Sequence, residues 1–301
     1  MKFGSKQIVR PLRHDLTVIE TPEYLSPSSS ATFDGCALKW KFKYVDRLPD
    51  PSGQAALVGS FVHLVLEHLC QLPNKLRTKD QAKLIAKELW PTFELEEDYT
   101  ALELNEAEAR AFRWQSWIAT EGLWSLEDPA DVEVVSTEQK VKTNLNGVPF
   151  KGIVDRVDRI NGELVISDYK SGKLPGSRWR NDKIQQVMLY AAAIAETGDE
   201  TPTRARLLYL GQRSLEVSVT ERRLEKSKEE LGQIWENVQA ACTTEDFEPK
   251  PSVLCGWCSF VESCPAGQKE IDKRFKAGKM PGHAPALKTL EYEVHTLKKV
   301  A

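Results

Sequence analysis

The chain has 301 residues, 41% of them hydrophobic, and a formal net charge of −3. That length and apolar content can bury a large core and exclude disorder throughout. The near balance of charge excludes a protein that coats nucleic acid through an overall basic excess, so any such partner would be held in a local groove. The opening residues, Met1 to Asp15, carry no apolar leader-like run. No stretch reaches the roughly 18 apolar residues of a membrane span, which gives an expectation of a cytoplasmic protein with no membrane partner.

In chain order, residues 1–27 hold Pro11, Pro22 and Pro27 and no sustained period, and read as an irregular arm. From Ser28 a short serine-capped helix is predicted, with Phe33, Cys36, Ala37 and Trp40 on one face. A second helix follows over LVGSFVHLVLEHLCQL. Residues of about 75–127 read as a helical insertion with two N-terminal capping pairs, Thr78 with Gln81 and Asn105 with Glu108. The texture changes near 131, where valine-rich alternation predicts strands over approximately 132–143, 148–160 and 163–170, with hairpin turns at Asn146-Gly147 and Asn161-Gly162. A helix near 181–196, the strands RARLLYLG and LEVSVT, and a charged helix from Glu221 to about Ala241 complete an α/β, mixed α+β class: a central mixed sheet flanked by helices. Residues 266–301 read as a polar, lysine-rich tail.

Period-two alternation places Ile153, Asp155 and Val157 on one face of the second strand, and Leu164, Ile166, Asp168 and Lys170 on one face of the third. Two carboxylates and a lysine at neighbouring strand ends can hold a hard divalent cation and stabilise an anionic transition state. Isolated Asp-x-Lys is also the ordinary pattern of a solvated strand face. Asp155 and Asp158 compete for the inward position, and the phase favours Asp155. Glu138 on the preceding strand reads equally as a site carboxylate or as an exposed glutamate.

The surrounding motifs sharpen this. Gly152-x-x-Asp155 leads by a hairpin into Asp168-Tyr169-Lys170, followed by Ser171-Gly172-Lys173. Upstream lies Gly59-x-x-x-His63-x-x-x-Glu67, and downstream Gln186-x-x-x-Tyr190. In this order the motifs resemble the RecB-like branch of the PD-(D/E)XK nucleases. The resemblance implies metal-dependent phosphodiester hydrolysis with Mg²⁺ or Mn²⁺. It implies His63, Asp155, Asp168 and the backbone carbonyl of Tyr169 as metal ligands, Lys170 as a catalytic cation, and Gln186 and Tyr190 as supports of the site and the DNA.

Six cysteines are present, and in a reducing compartment clustered ones are read as metal or iron–sulfur ligands rather than disulfides. Cys70 and Cys242 lie in apolar helical runs and read as buried small residues. Cys255-x-x-Cys258, Cys264 and Pro265 supply three thiolates near the C-terminal end, and Cys36 is the obvious fourth. One plus three, with proline after the last, favours a [4Fe-4S] cubane; zinc, which usually takes two tight pairs, stays as the alternative. This layout is similar to the iron–sulfur nucleases of the Cas-four family and to AddB-type nuclease domains, which makes residues 28–265 the nuclease domain and the cluster its structural staple.

The basic loop Lys173, Arg178, Trp179 and Arg180 combines cations with a ring, a pattern suited to a single strand as well as to an ordinary solvated loop. The resulting expectation is an exonuclease acting on single-stranded DNA, 5′ to 3′, in recombination, repair or end processing, of a stand-alone phage type or with a helicase, recombinase or CRISPR-adaptation partner. Two further readings stand beside it: a catalytically inactive cluster or zinc module that recruits such a partner, and a restriction-type endonuclease.

Overall fold

A computed structural model describes residues 19–176 and 181–292. Five strands form one mixed sheet in the order β1-β2-β3-β4-β5: β1 (Glu133–Leu145), β2 (Val148–Ile160), β3 (Glu163–Lys170), β4 (Arg204–Tyr209) and β5 (Arg213–Ser218). β1, β2 and β3 pair antiparallel. Both turns between them put Asn-Gly in the left-handed region, at φ 50° and 88° for Asn146-Gly147 and 54° and 82° for Asn161-Gly162, the geometry that matches strand twist. β3 and β4 run parallel, and their connection carries α7 (Asn181–Thr197). The α/β class expected from the sequence is the observed one.

The sheet is covered on both faces, which makes two cores. On one side α7 and α8 (Glu221–Thr244) pack with Phe150, Val157, Leu164 and Ile166. On the other, α3 (Gln54–Cys70) packs with Tyr169, Leu208 and Leu210 and is covered in turn by α4 (Lys79–Phe93), α5 (Glu97–Thr100) and α6 (Glu106–Glu121). Those last three helices fall within the stretch expected as an insertion. Thr78 caps α4 by accepting from the Gln81 N–H, and Asn105 and Glu108 form the full reciprocal box at α6.

The first predicted helix is broken in two. α1 (Pro27–Gly35), capped by Ser26 rather than Ser28, stops at Cys36, which is extended at φ −171° and ψ 108°; α2 (Ala37–Trp40) then begins. Phe33 and Trp40 still meet edge to face at 5.5 Å, and the Trp40 indole donates to Ser29. Cys36 leaves their face because an extended residue cannot continue the helical period. The C-terminal segment is also more ordered than a polar tail. α9 (Pro265–Lys276) and α10 (Pro285–Thr289) pack Ile271, Ala286 and Leu287 around Val261.

In β2 the apolar phase slips. Val148, Phe150 and Val154 join the α7-side core, then Val157 does, so the inward set changes from even to odd numbers. Ile153, expected inward, is 42% exposed. On the insertion side the same strand buries charge: Arg156 is fully enclosed and pairs with Asp158 and with Glu127, which follows α6, while Arg206 of β4 reaches both acids at 2.8 and 2.9 Å. Ser167 closes the cluster with a 2.6 Å bond to Asp158. Two guanidinium groups and two carboxylates balance, the condition under which buried charge is tolerated. Asp158→Ala is therefore expected to lower the unfolding free energy in urea by about 3–5 kcal/mol. Asp46→Ala, which breaks an exposed pair with Lys41, is expected to cost under about 1 kcal/mol. Equal effects would show that the buried cluster is not a mainstay of the fold.

Candidate active site

The antiparallel register sets Arg156 opposite Ser167, which brings the next residues, Asp155 and Asp168, side by side where β2 and β3 open toward α3. The Tyr169 N–H donates to Asp155 Oδ2 at 2.8 Å and holds that carboxylate against β3. From α3, the His63 imidazole spans the gap: Nδ1 lies 3.4 Å from Asp155 Oδ2 and Nε2 3.1 Å from the Tyr169 carbonyl oxygen. Lys170 Nζ sits 2.6 Å from Asp168 Oδ2 and donates to Gln186 Oε1 at 3.2 Å, and Gln186 Nε2 donates to the Tyr190 hydroxyl at 3.3 Å. One continuous set of contacts thus joins α3, β2, β3 and α7.

Glu138 enters from β1. It stands between the pairs Thr137–Arg156 and Gln139–Val154, across from Asp155, with φ 45°. A non-glycine residue in the left-handed region inside a strand is strained, and such strain concentrates where a side chain must be re-aimed. One ligand atom each from His63, Glu138 and Asp155 lies within 4.8 Å of the others. This residue was only weakly legible in the sequence, because its effect depends on a backbone kink that strand periodicity does not encode.

Two motif glycines have steric reasons. A Cβ at Gly152 would stand 2.8 Å from Tyr190 Cε1, so glycine lets the ring lie against β2. A Cβ at Gly59 would stand 3.0 Å from Ser171 Oγ, so glycine lets α3 approach the segment after β3. The cleft they shape is about 930 Å³ and is lined by His63, Glu67, Glu138, Lys170 and Lys173. Arg178, Trp179 and Arg180 of the expected DNA-contacting loop lie outside the described residues.

Crowded acids dominate the electrostatics. Burial, then repulsion from Asp155, pushes Glu138 up to about 7. Burial and Asp155 push Asp168 up to about 6 despite the opposing pull of Lys170. Burial drives the His63 imidazole down, but its hydrogen bond and charge interaction with Asp155 outweigh this and leave it raised. An imidazole nitrogen, carboxylates and a backbone carbonyl facing one another are a donor set that fits Mg²⁺ or Mn²⁺.

The four cysteines of the expected staple, Cys36, Cys255, Cys258 and Cys264, line one pocket. Backbone N–H groups serve all four sulfurs: Lys250 donates to Cys36 at 3.4 Å, Ser252 to Cys255 at 3.3 Å, Gly267 to Cys264 at 3.3 Å, and Phe260 to Cys258. A Cβ on Gly267 would lie 3.3 Å from the Cys264 sulfur and 3.8 Å from that of Cys255. Pro265 has a plain structural reason as well, since it is the first residue of α9 with Cys264 as its cap.

A family model for the PD-(D/E)XK nuclease superfamily matches residues 24–265. The chain belongs to the PD-(D/E)XK nuclease superfamily. As a member of this family of metal-dependent nucleases, it is similar to the Gene 69 protein of Mycobacterium phage L5, at 32% identity over 125 residues. It is also similar to the Gene 69 protein of Mycobacterium phage D29, at 27% over 157 residues. These matches take in 40% and 50% of this chain and 41% and 51% of the phage proteins, so the chain spans about half the length of the curated relatives it matches. Among solved structures, a candidate exonuclease from Eubacterium rectale aligns at 16% identity with a TM-score of 0.41, covering 84% of this chain and 93% of the other.

Raised values at His63, Glu138 and Asp168 mean that the folded site binds protons more tightly than the unfolded chain. The stability these groups contribute is full below their ordinary ranges and is lost as pH rises through about 6 to 7. Metal binding requires the deprotonated ligands. The metal-free protein is expected to melt at a lower temperature at pH 8 than at pH 5, and Mn²⁺ to raise the melting temperature more at pH 8. An equal Mn²⁺ increment at both pH values would show that these groups are not the ligands.

Proposed function

We propose that the chain is a metal-dependent DNA exonuclease that hydrolyses single strands, 5′ to 3′, in recombination, repair or end processing. The observation that carries the nuclease reading is the meeting of His63, Asp155, Asp168 and Lys170 beside one open cleft that His63 and Lys170 line. The preference for single strands, the direction and the pathway rest on the likeness of the motifs to RecB-like and Cas-four-type exonucleases.

In this reading His63, Asp155, Asp168 and the Tyr169 carbonyl hold Mg²⁺ or Mn²⁺, with Glu138 at the edge of the set. Bound there, the ion supplies charge neutralisation and a lowered pKa for the attacking water. The rest falls to the chain. Lys170, fixed between Asp168 and Gln186, places a positive charge where the phosphoryl oxygens gain negative charge. Gln186 is itself held by Tyr190, so the ammonium position is set before substrate arrives. Asp155, fixed by the Tyr169 N–H and beside His63, keeps its oxygens aimed at one point.

The decisive measurement is digestion of end-labelled linear and circular single strands with Mn²⁺ or Mg²⁺ by the wild type and Lys170→Ala. Release of short products from one end by the wild type, intact circles, and a loss of at least about 100-fold in rate for the variant are expected. Cut circles would replace the exonuclease by an endonuclease. Binding without cleavage by either protein would replace it by a recruitment module.

The cysteine pocket is proposed to hold a [4Fe-4S] cluster that staples the two ends of the domain. The fit rests on four thiols around one pocket, each with a backbone N–H, and on a glycine that leaves room beside two of them. Among the described residues no three sulfurs lie within 4.8 Å of one another. Four thiolates on one zinc ion, about 2.3 Å from it and tetrahedral, would stand about 3.8 Å apart. Protein purified without oxygen is expected to be brown, absorbing near 400 nm, and Cys36→Ala to lose the colour and melt at lower temperature. Colourless protein containing one zinc would overturn the cluster.

A further inference from the structure

A second groove adjoins the catalytic cleft. It lies between the start of α1, the first half of β2 and the face of α7 that carries Gln186 and Tyr190, and it measures about 480 Å³. Lys183 lines both this groove and the catalytic cleft, so the two adjoin. Their charge differs. The catalytic cleft carries Glu67 and Glu138 together with Lys170, Lys173 and Lys183, whereas no residue lining the second groove is acidic and two are lysines, Lys151 and Lys183.

Three features give this groove hydrogen-bond donors, two of them, Lys151 and Tyr190, without a carboxylate or carbonyl acceptor among the described residues. Lys151 projects from β2 with its ammonium 5.0 Å from the centre of the Tyr24 ring, and among the described residues no carboxylate pairs with it. Tyr190 is 7% exposed, and its oxygen accepts from Gln186 Nε2, which leaves its own proton without an acceptor among the described residues. Burial pushes this phenol up to about 12, so the proton is retained at neutral pH. The Ser28 hydroxyl, 3.1 Å from the Ser26 hydroxyl, and the Ser28 N–H sit in the first turn of α1, where Ser26 caps the Ser29 N–H. An anion that accepts several hydrogen bonds would satisfy all three.

We propose that this groove is a phosphate subsite that holds the nucleic-acid phosphate adjoining the scissile one, with Lys151, Ser28 and Tyr190 as donors and the Tyr24 ring as a platform for the attached base. The proposal rests on the nuclease reading for the identity of the strand. Its geometry follows from the adjacency of the two sites: Lys183 lines both, and Gln186, which lines the groove, bonds Lys170, so a polyanionic chain with one phosphate at the metal can extend from one into the other. The occupant has two sources, a terminal phosphate or an internal phosphodiester, with the same donors for either.

The test is binding rather than cleavage. Fluorescent single strands bearing a 5′-phosphate, a 5′-hydroxyl or a 3′-phosphate are titrated over a range of salt into the full-length Lys170→Ala protein with Mn²⁺. The same is done with this protein further changed at Lys151→Ala or, as a control of equal charge, at the exposed Lys87→Ala. Loss of the Lys151 contact is expected to weaken binding about tenfold and to reduce the slope of log affinity against log salt by about 0.7, with no change for Lys87→Ala. A loss confined to strands with a 5′-phosphate or to those with a 3′-phosphate supports a terminal phosphate and names its end; an equal loss on all three supports an internal diester. An effect of Lys151→Ala no greater than that of Lys87→Ala overturns the subsite. Wild type that cuts no strand, together with Lys151-dependent binding, would end the nuclease reading and leave the phosphate subsite standing.

Discussion

The register of β2 against β3 is the constraint on which the rest depends. With Arg156 opposite Ser167 and Val157 opposite Ile166, alternate residues of the two strands face opposite sides of the sheet. One side receives Arg156, Asp158 and Ser167; the other receives Val157 and Ile166; Asp155 and Asp168 meet at the opening. A slip of one residue would exchange the faces, burying unpaired acids in the α7-side core and stranding the arginines. The Asn161-Gly162 turn between them keeps that register, and Asn146-Gly147 keeps that of β1 against β2, since both residues of each turn sit where strand twist requires.

The two faces handle charge in opposite ways. On the insertion side, Arg156 and Arg206 are matched by Asp158 and Glu127, so the cluster is neutral and its members are held in fixed places. It also reaches the active site, because Arg156 donates to the Tyr169 hydroxyl at 2.9 Å and the main chain of Tyr169 bonds both Asp155 and His63. At the opening the balance is deliberately incomplete. Asp155, Asp168 and Glu138 face one lysine and one histidine, and burial together with repulsion from Asp155 raises Glu138 to about 7 and Asp168 to about 6. A site of this kind gains most from a divalent cation.

The ends of the domain meet away from the sheet. Leu38 donates to the Glu248 carbonyl and Lys250 reaches back to Asp34 and Cys36. More than two hundred residues of chain lie between these partners, so the proposed cluster, by joining the thiols, would remove a large loop entropy from the unfolded state. The break between α1 and α2 makes this possible, because an extended Cys36 turns its sulfur out of the helix toward the returning chain.

What the sequence determined by itself is local. Alternating valines set the strands, Asn-Gly set the hairpins, and Thr78 and Asn105 set where α4 and α6 begin, because each depends on a residue's own backbone preferences and on neighbours within four positions. Motif spacing brought His63, Asp155, Asp168, Lys170, Gln186 and Tyr190 into one hypothesis. Tertiary structure decided the rest. Arg156 and Asp158 are enclosed because Glu127 and Arg206, from distant elements, close over them; nothing local distinguishes a buried salt cluster from an exposed one. Ile153 turned outward because the strand changes phase, and Glu138 turned inward through a left-handed kink. Cys36 left its predicted helix face at a chain break. In each of these the outcome was set by which groups arrive from far along the chain, and sequence periodicity carries no record of such meetings.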